Sequence, residues 1–145
     1  MSETISAADF RKNYKGHSKE RKLQAAVCEE LTLMDVYHYA IPNGQMRKGT
    51  PKEPGMRAGM PDLHIPISHD TEGTLYIELK RKKPGRRKGK TYTSPDQKKQ
   101  LNRLTELGHT CCICRSTEEV HTVATYHLSP DGPGVPEALR WPNKR

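Results

Sequence analysis

Two carboxylates and a lysine are spaced so that two neighbouring strands of a sheet would bring them together. Asp62 follows Gly59-Met60-Pro61 at the start of one apolar run, and Glu78-Leu79-Lys80 ends the next. Because residues i and i+2 of a strand project from the same face, Glu78 and Lys80 point the same way while Leu79 packs behind them. One face of this strand pair is therefore available for chemistry.

These groups suit a divalent metal ion and a phosphate diester. Mg²⁺ prefers carboxylate and carbonyl oxygens, so Asp62, Glu78 and the backbone carbonyl of Leu79 would form half of its coordination shell. A bound metal ion neutralises phosphate charge and lowers the pKa of water, and Lys80 would stabilise the charge that develops at the scissile phosphate. Taken alone, however, a strand that carries Glu-x-Lys is also typical of an exposed cross-strand ion pair.

Periodicity and capping patterns predict the elements that would position these residues. Ser94-Pro95-Asp96-Gln97 is a capping box that opens a helix, and Ser116-Thr117-Glu118-Glu119 is a second one. The predicted order is helix, three strands, helix, strand, helix, which is typical of an α/β fold with a small mixed sheet. The helices are predicted at Ser18–Met34, Pro95–Leu107 and Thr117–Leu128, and the strands at Val36–Ile41, Leu63–Ile67, Thr74–Lys80 and His109–Cys114.

The length of 145 residues suits one small domain. Only 32% of the residues are apolar, which predicts a thin core and argues against a large enclosed cofactor pocket. We expect a flexible N-terminal segment at 1–17, the domain at 18–128, and an extended or disordered tail at 129–145, where 17 residues hold four prolines and two glycines.

The net charge of +8 comes from one segment of the chain. The segment from Lys80 to Lys90 contains eight basic residues and no acidic residue. The other 17 basic residues of the chain are balanced by 17 acidic ones. Such a run is a solvated loop, a localisation-type signal or a site for a polyphosphate. A polyphosphate would fit because clustered cations release counterions from nucleic acid. The residues predicted to bind nucleic acid are Arg81, Lys82, Lys83, Arg86, Arg87, Lys88 and Lys90.

The apolar runs, the first residues and the cysteines indicate the kind of compartment in which the protein works. No run of about 18 apolar residues occurs, and Met1-Ser2-Glu3-Thr4 lacks the hydrophobic segment of a secretory signal. We therefore expect a soluble, cytoplasmic protein that has no membrane partner. Cys111, Cys112 and Cys114 are too crowded for a disulfide framework or paired zinc knuckles and are predicted to be buried strand thiols.

Six segments of the chain, in the same order, resemble the VRR-NUC branch of the PD-(D/E)xK nucleases, the virus-type replication and repair nucleases. Together they cover the chain from about Ser18 to Leu128. The segments are Glu20-Arg21-Lys22-Leu23-Gln24, Ile41-Pro42-Asn43-Gly44, Gly55-Met56-Arg57-Ala58-Gly59-Met60-Pro61-Asp62-Leu63, Tyr76-Ile77-Glu78-Leu79-Lys80, Ser94-Pro95-Asp96-Gln97 and Leu104-Thr105-Glu106-Leu107-Gly108.

The resemblance implies a single restriction-endonuclease-like domain and a nuclease that depends on Mg²⁺ or Mn²⁺. It implies that Asp62 and Glu78 bind metal, that Lys80 assists at the phosphate, that Glu20 completes the acidic cluster, and that Gln97 approaches the site. It also implies a phage-type DNA repair enzyme that acts on branched or junction DNA as a homodimer.

Two of these assignments have alternatives within the sequence. Glu30 lies near the same apolar stripe of the first helix as Glu20, so helical angle does not choose between them, although the motif favours Glu20. Gln97 is already explained by its place in the capping box. His64 shares the strand face of Asp62 and is a further candidate for the site.

These observations favour a metal-dependent DNA endonuclease whose basic segment binds backbone phosphates near the cut. The first alternative is a non-catalytic nucleic-acid-binding module, in which Glu78 and Lys80 form an ordinary ion pair. The second is a restriction-type nuclease that reads sequence, although the chain shows no separate target-recognition domain.

Overall fold

Four strands form one mixed sheet within residues 19–42, 54–68, 73–81 and 93–142, which are the residues that the computed structural model describes. In spatial order the strands are β1 (Tyr39–Ala40), β2 (Leu63–Ile65), β3 (Leu75–Leu79) and β4 (Thr110–Cys114). β1 pairs antiparallel with β2, and β2 pairs antiparallel with β3, whereas β3 and β4 run parallel. The predicted α/β class, with a small mixed sheet flanked by helices, is confirmed.

Some predicted features lie outside the described residues. They are the N-terminal segment 1–17, the motif residues Asn43 and Gly44, and most of the basic segment, namely Lys82, Lys83, Arg86, Arg87, Lys88 and Lys90.

Three α-helices flank the sheet in the described part of the chain: α1 (Lys19–Leu33), α2 (Pro95–Glu106) and α3 (Thr117–Leu128). The capping box of α2 is confirmed, because Gln97 N donates to Ser94 Oγ at 3.2 Å and Ser94 N donates to Gln97 Oε1 at 3.0 Å. Within the described ranges, none of the helices has the length and apolar character needed to cross a membrane.

The helices cover opposite faces of the sheet, and alternation along β3 assigns its side chains to these two faces. Leu75 and Ile77 are fully buried in the main core with residues of α1 and α3. Tyr76 projects to the other face, where it packs near Leu101 of α2. Because Glu78 follows Tyr76 by two residues, it lies on the α2 side of the sheet.

The crowded cysteines of β4 are free and buried on both faces, as predicted. Cys112 and Cys114 belong to the main core, and Cys111 belongs to the smaller core beneath α2. Burial raises the pKa of the Cys111 thiol to about 11 and that of Cys112 to about 12. These thiols are therefore protonated packing groups at neutral pH.

The first strand is shorter than predicted because Val36 completes the end of α1. Val36 N donates to the carbonyl oxygen of Leu31 at 2.9 Å, and the Val36 side chain is 5% exposed. Asp35 makes the turn between helix and strand at a φ of 57°. The segment therefore joins the sheet only at Tyr39.

Residues 129–142 differ from the extended or disordered tail predicted from their prolines. A 3-10 helix (Glu137–Leu139) buries Leu139 to 7% exposure in the main core. Arg140 then pairs antiparallel with Cys112, along the outer edge of β4. Burial of the Leu139 side chain and pairing with a sheet edge outweigh the preference of this proline-rich segment for an extended or disordered backbone.

Trp141, which had no predicted role, fixes the end of this segment. Its backbone N–H donates to the carbonyl oxygen of Cys111 at 2.8 Å, and its indole Nε1 donates to Asn102 Oδ1 of α2 at 2.8 Å. The folded unit therefore continues beyond the predicted boundary at Leu128.

Candidate active site

Asp62 is positioned by a loop that packs tightly against the start of α2. Gly59 has a φ of +80°, and a Cβ atom there would lie 2.3 Å from the carbonyl carbon of Asp96. Only glycine fits this close approach. Pro61 is fully buried, and Asp62 Oδ2 accepts a hydrogen bond from Leu79 N at 2.7 Å. The carboxylate of Asp62 is thus fixed against β3.

Glu78 faces the same position from β3. The register that pairs Leu63 with Ile77 places Asp62 opposite Glu78. Glu78 is 3% exposed, and its Oε2 atom has no hydrogen-bond partner among the residues that the structure describes. Burial, followed by the charge of Asp62, raises the pKa of Glu78. Burial also raises the pKa of Asp62, against the lowering effect of the Leu79 amide and of Lys80.

Lys80 and Gln97 complete a connected polar group around these carboxylates. Lys80 Nζ donates to Gln97 Oε1 at 2.8 Å and lies 3.9 Å from Glu78 Oε1. Gln97 Nε2 donates to the same Glu78 oxygen at 3.3 Å. Gln97 therefore has both of the roles that sequence reasoning treated as alternatives, since its Oε1 atom also accepts the capping hydrogen bond from Ser94 N.

The two glutamates of α1 lie in different surroundings. Glu20 is exposed in the first turn, and its charge contributes to raising the pKa values of both Asp62 and Glu78. Glu30 instead pairs with α3, where its Oε1 atom lies 2.8 Å from His121 Nδ1. Of the two candidates, Glu20 is thus the one whose charge acts on the carboxylate pair.

The donor set fits a small divalent cation that retains water. No group of three or more His, Cys, Asp and Glu side chains in the described ranges is arranged to hold a metal ion. The available ligands are therefore two carboxylates and the Leu79 carbonyl. This set suits Mg²⁺, which keeps several water ligands, better than a metal whose ligands all come from protein side chains. The buried Glu78 Oε2 atom, which lacks a partner among the described residues, is the kind of oxygen that such a cation would satisfy.

Arg81 is the one residue of the predicted phosphate-binding group that the structure describes. Its side chain is partly buried, and its Nε atom is buried without a hydrogen-bond partner in the described part of the chain. Arg81 follows Lys80 directly, so the basic segment begins at the site itself.

His64, the other candidate from the sequence, belongs to an aromatic row beside the carboxylates. A hydrogen bond joins the Tyr39 hydroxyl to His64 Nδ1, and His64 Nε2 lies 2.8 Å from Thr74 Oγ1. The His64 ring stacks on Tyr76 with ring centroids 4.2 Å apart. Burial, followed by the charge of His109, lowers the pKa of His64.

Sequence reasoning missed this aromatic row as a unit. Tyr39 lies opposite His64, and His64 lies opposite Tyr76, so the three rings cross three strands at one level. Alternation along one strand predicts only which face of the sheet a side chain occupies. The alignment of Tyr39, His64 and Tyr76 depends on the register between three strands, which no single strand shows.

Comparison with known proteins identifies the fold. No family model and no curated protein matches the chain. A solved structure described as a "VRR_NUC domain protein" is similar over 77% of this chain and 88% of that one, with 24% sequence identity and a TM-score of 0.58. The chain therefore has the fold of the VRR-NUC family, as its six motif segments predict.

Proposed function

We propose that this chain is a DNA endonuclease that depends on Mg²⁺ or Mn²⁺ and is selective for branched or junction DNA. The observation that carries the proposal is the buried pair formed by Asp62 and Glu78, with Lys80 and Gln97 bonded beside it. The VRR-NUC fold supports a nuclease. Since one fold serves many activities, the chemistry of these four residues, more than the fold, indicates a nuclease.

The burial of the carboxylates favours a metal site over a structural ion pair. Two carboxylates that are removed from water and placed side by side repel each other, and each loses hydration. Lys80 offers one positive charge, at 3.9 Å from Glu78. The two buried carboxylates thus exceed the one positive charge beside them, which is not so in an exposed cross-strand ion pair. A divalent cation would supply the missing positive charge.

Asp62, Glu78 and the Leu79 carbonyl would hold the cation, and Glu20, in the first turn of α1, would add negative charge that acts on both carboxylates. When bound, the ion supplies charge neutralisation at the phosphate and a lowered pKa for water. Lys80 has the task of placing an ammonium group beside the scissile phosphate, where negative charge develops. Gln97 holds Nζ of Lys80 through its Oε1 atom and Glu78 through its Nε2 atom, so it fixes the spacing of these two groups.

The basic segment supports DNA as the substrate. Arg81, Lys82, Lys83, Arg86, Arg87, Lys88 and Lys90 follow the proposed catalytic lysine directly in the chain. Phosphates on either side of the cut would bind to these cations without any reading of sequence. The resemblance of the motifs also supports a homodimer. Analytical sedimentation of the purified protein would measure this oligomeric state.

One cleavage assay tests the proposal. The purified protein is incubated with linear duplex, single-stranded and four-way-junction DNA, in Mn²⁺, in Mg²⁺ or in EDTA. We expect products only with metal, and most rapidly on the junction. Asp62→Asn and Glu78→Gln should abolish cleavage, whereas Glu30→Gln is a matched control, because Glu30 pairs with His121 elsewhere on α1.

Two outcomes would contradict the proposal. Absence of metal-dependent products on all three DNAs would leave only the non-catalytic binding module. Cleavage at one fixed sequence of the linear duplex would favour the restriction-type alternative over structure selectivity.

A further inference from the structure

Tyr39 presents an aromatic ring to solvent from the edge strand β1. The residue lies largely open to solvent, although its hydroxyl group is hydrogen-bonded to His64 Nδ1. A surface tyrosine commonly turns its hydroxyl group to water and its ring to protein. Here the hydroxyl group is bonded to His64 instead, and the residue remains 46% exposed.

The ring is also held in one orientation. Tyr39 meets His64 edge-to-face, with ring centroids 5.1 Å apart, and His64 is stacked on Tyr76 behind it. The second nitrogen of His64 is bound to Thr74 Oγ1. A ligand that stacks on Tyr39 would therefore find a ring whose orientation is already fixed.

The ring lies on the same face of the sheet as the carboxylates. Ile41 N donates to the carbonyl oxygen of Asp62 at 2.8 Å, and Tyr39 pairs with His64 two residues further along both strands. Two residues span about 6.8 Å and neighbouring strands lie about 4.8 Å apart, so the backbones of Tyr39 and Asp62 are about 8 Å apart. That distance is the length of about two nucleotides of a stacked strand.

We propose that Tyr39 is a stacking platform for an unpaired base of the DNA, about two nucleotides from the phosphate that is cut. The inference rests on the proposed function, because it takes DNA to be the substrate and the carboxylate pair to mark the cut. It adds the feature by which the chain would distinguish branched from linear DNA.

Stacking explains this selectivity in physical terms. Every base has an aromatic face, so a stacking platform tolerates any sequence. In a linear duplex both faces of a base are already covered by its neighbours, and unstacking it opposes binding. A base beside a branch or in a flap offers a free face, so the exposed ring of Tyr39 gains a partner only on such DNA.

Binding without cleavage tests the inference. Fluorescence anisotropy in EDTA measures the affinity of the full chain for a labelled duplex and for the same duplex with a single-stranded flap. Tyr39→Ala should lose about 10-fold in affinity for the flap DNA, which equals about 1.4 kcal/mol, and should keep its affinity for the duplex. Tyr39→Phe keeps the ring but loses the hydrogen bond to His64, so it should retain most of the flap affinity that Tyr39→Ala loses and should keep its affinity for the duplex.

Tyr126→Ala is the matched control, since Tyr126 is 37% exposed on α3, which covers the opposite face of the sheet. Equal flap affinity for Tyr39→Ala and the unmodified protein would overturn the platform, and so would an equal loss on both DNAs. If thermal unfolding shows that Tyr39→Ala does not fold, Tyr39→Leu replaces it, because leucine keeps apolar bulk without an aromatic face.

The two proposals fail separately. A chain that prefers flap DNA through Tyr39 but gives no metal-dependent products would overturn the nuclease, and with it the distance to a cut, but not the stacking of an unpaired base on Tyr39. A chain that cleaves all three DNAs with unchanged preference in Tyr39→Ala would overturn the platform and not the nuclease.

Discussion

Gln97 accepts a hydrogen bond from Lys80 with the same oxygen that caps its own helix. Oε1 lies 2.8 Å from Lys80 Nζ and 3.0 Å from Ser94 N. The position of the lysine is therefore tied to the start of α2. A change in the cap is expected to alter stability, whereas a change in Gln97 is expected to alter stability and catalysis together.

Replacement of the two capping residues separates these effects. Ser94→Ala removes the acceptor for Gln97 N and should cost about 1 kcal/mol of stability, with the cleavage rate of the folded protein unchanged. Gln97→Ala also releases Lys80, and a hydrogen bond to a charged group contributes about 1.5–3 kcal/mol, so kcat should fall at least about 10-fold. Urea unfolding and cleavage rates measure the two quantities. Equal kcat values for the two variants would contradict this role of Gln97.

Glu78 should destabilise the metal-free protein at neutral pH. Its folded-state pKa is raised above the ordinary 4.5, mainly by burial, so the stability that protonated Glu78 contributes is present below that pH and is lost as pH rises. In EDTA, Glu78→Gln should therefore unfold at a higher temperature than the unmodified protein. The difference should grow between about pH 6 and about pH 8.

Added metal should reverse this order. Mg²⁺ or Mn²⁺ at about 100 times its Kd would stabilise the unmodified protein by about 2.7 kcal/mol and leave Glu78→Gln unchanged. Glu106→Gln is the control, because that carboxylate is exposed and pairs with Arg103 along α2, away from the site. If Glu78→Gln were the less stable protein in EDTA, a structural ion pair would be the better explanation.

The basic segment should determine how salt affects DNA binding. Alanine at Arg86, Arg87, Lys88 and Lys90 should reduce the slope of log K against log salt by about 0.9 for each duplex phosphate that is no longer neutralised. Metal binding, measured by calorimetry, should remain. Arg103→Ala on α2 serves as the single-charge control. An unchanged slope would mean that these four cations do not bind phosphate.

Leu139 should contribute to the stability of the whole domain. It is 7% exposed in the main core, so Leu139→Ala should lower the free energy of unfolding by about 2–5 kcal/mol. Leu33→Ala, at a side chain that is 71% exposed, should change it little. Urea unfolding measures both variants. Equal effects would show that the tail does not stabilise the core.

Much of the site could be predicted because it depends on local rules. Alternation along a strand placed Glu78 and Lys80 on one face, and a capping pattern located the start of α2 at Ser94. The order of the motifs then indicated the family fold. The strand alternation and the capping pattern need only the sequence within about ten residues of each position, whereas the order of the motifs uses most of the chain.

The remaining features depend on contacts between distant residues. The prolines after Ser129 indicate a disordered tail, but Arg140 pairs with Cys112 and Leu139 fills the core, which no local pattern shows. The choice between Glu20 and Glu30 required the position of His121 on another helix. For the same reason, the hydrogen bonds by which Gln97 joins its helix cap to Lys80 are a property of the fold, although the motifs had implied that Gln97 approaches the site.

The pairing of Arg140 with β4 has a consequence for synthesis of the chain. β3, which carries Glu78, obtains its parallel partner only when residues 110–114 have been made, and among the described residues the outer edge of β4 pairs with residue 140. Long-range pairing of this kind forms slowly, because distant segments must meet. A nascent chain therefore lacks this edge pairing until Arg140 has left the ribosome, so folding of the sheet that carries the proposed catalytic strand depends on a segment that follows α3.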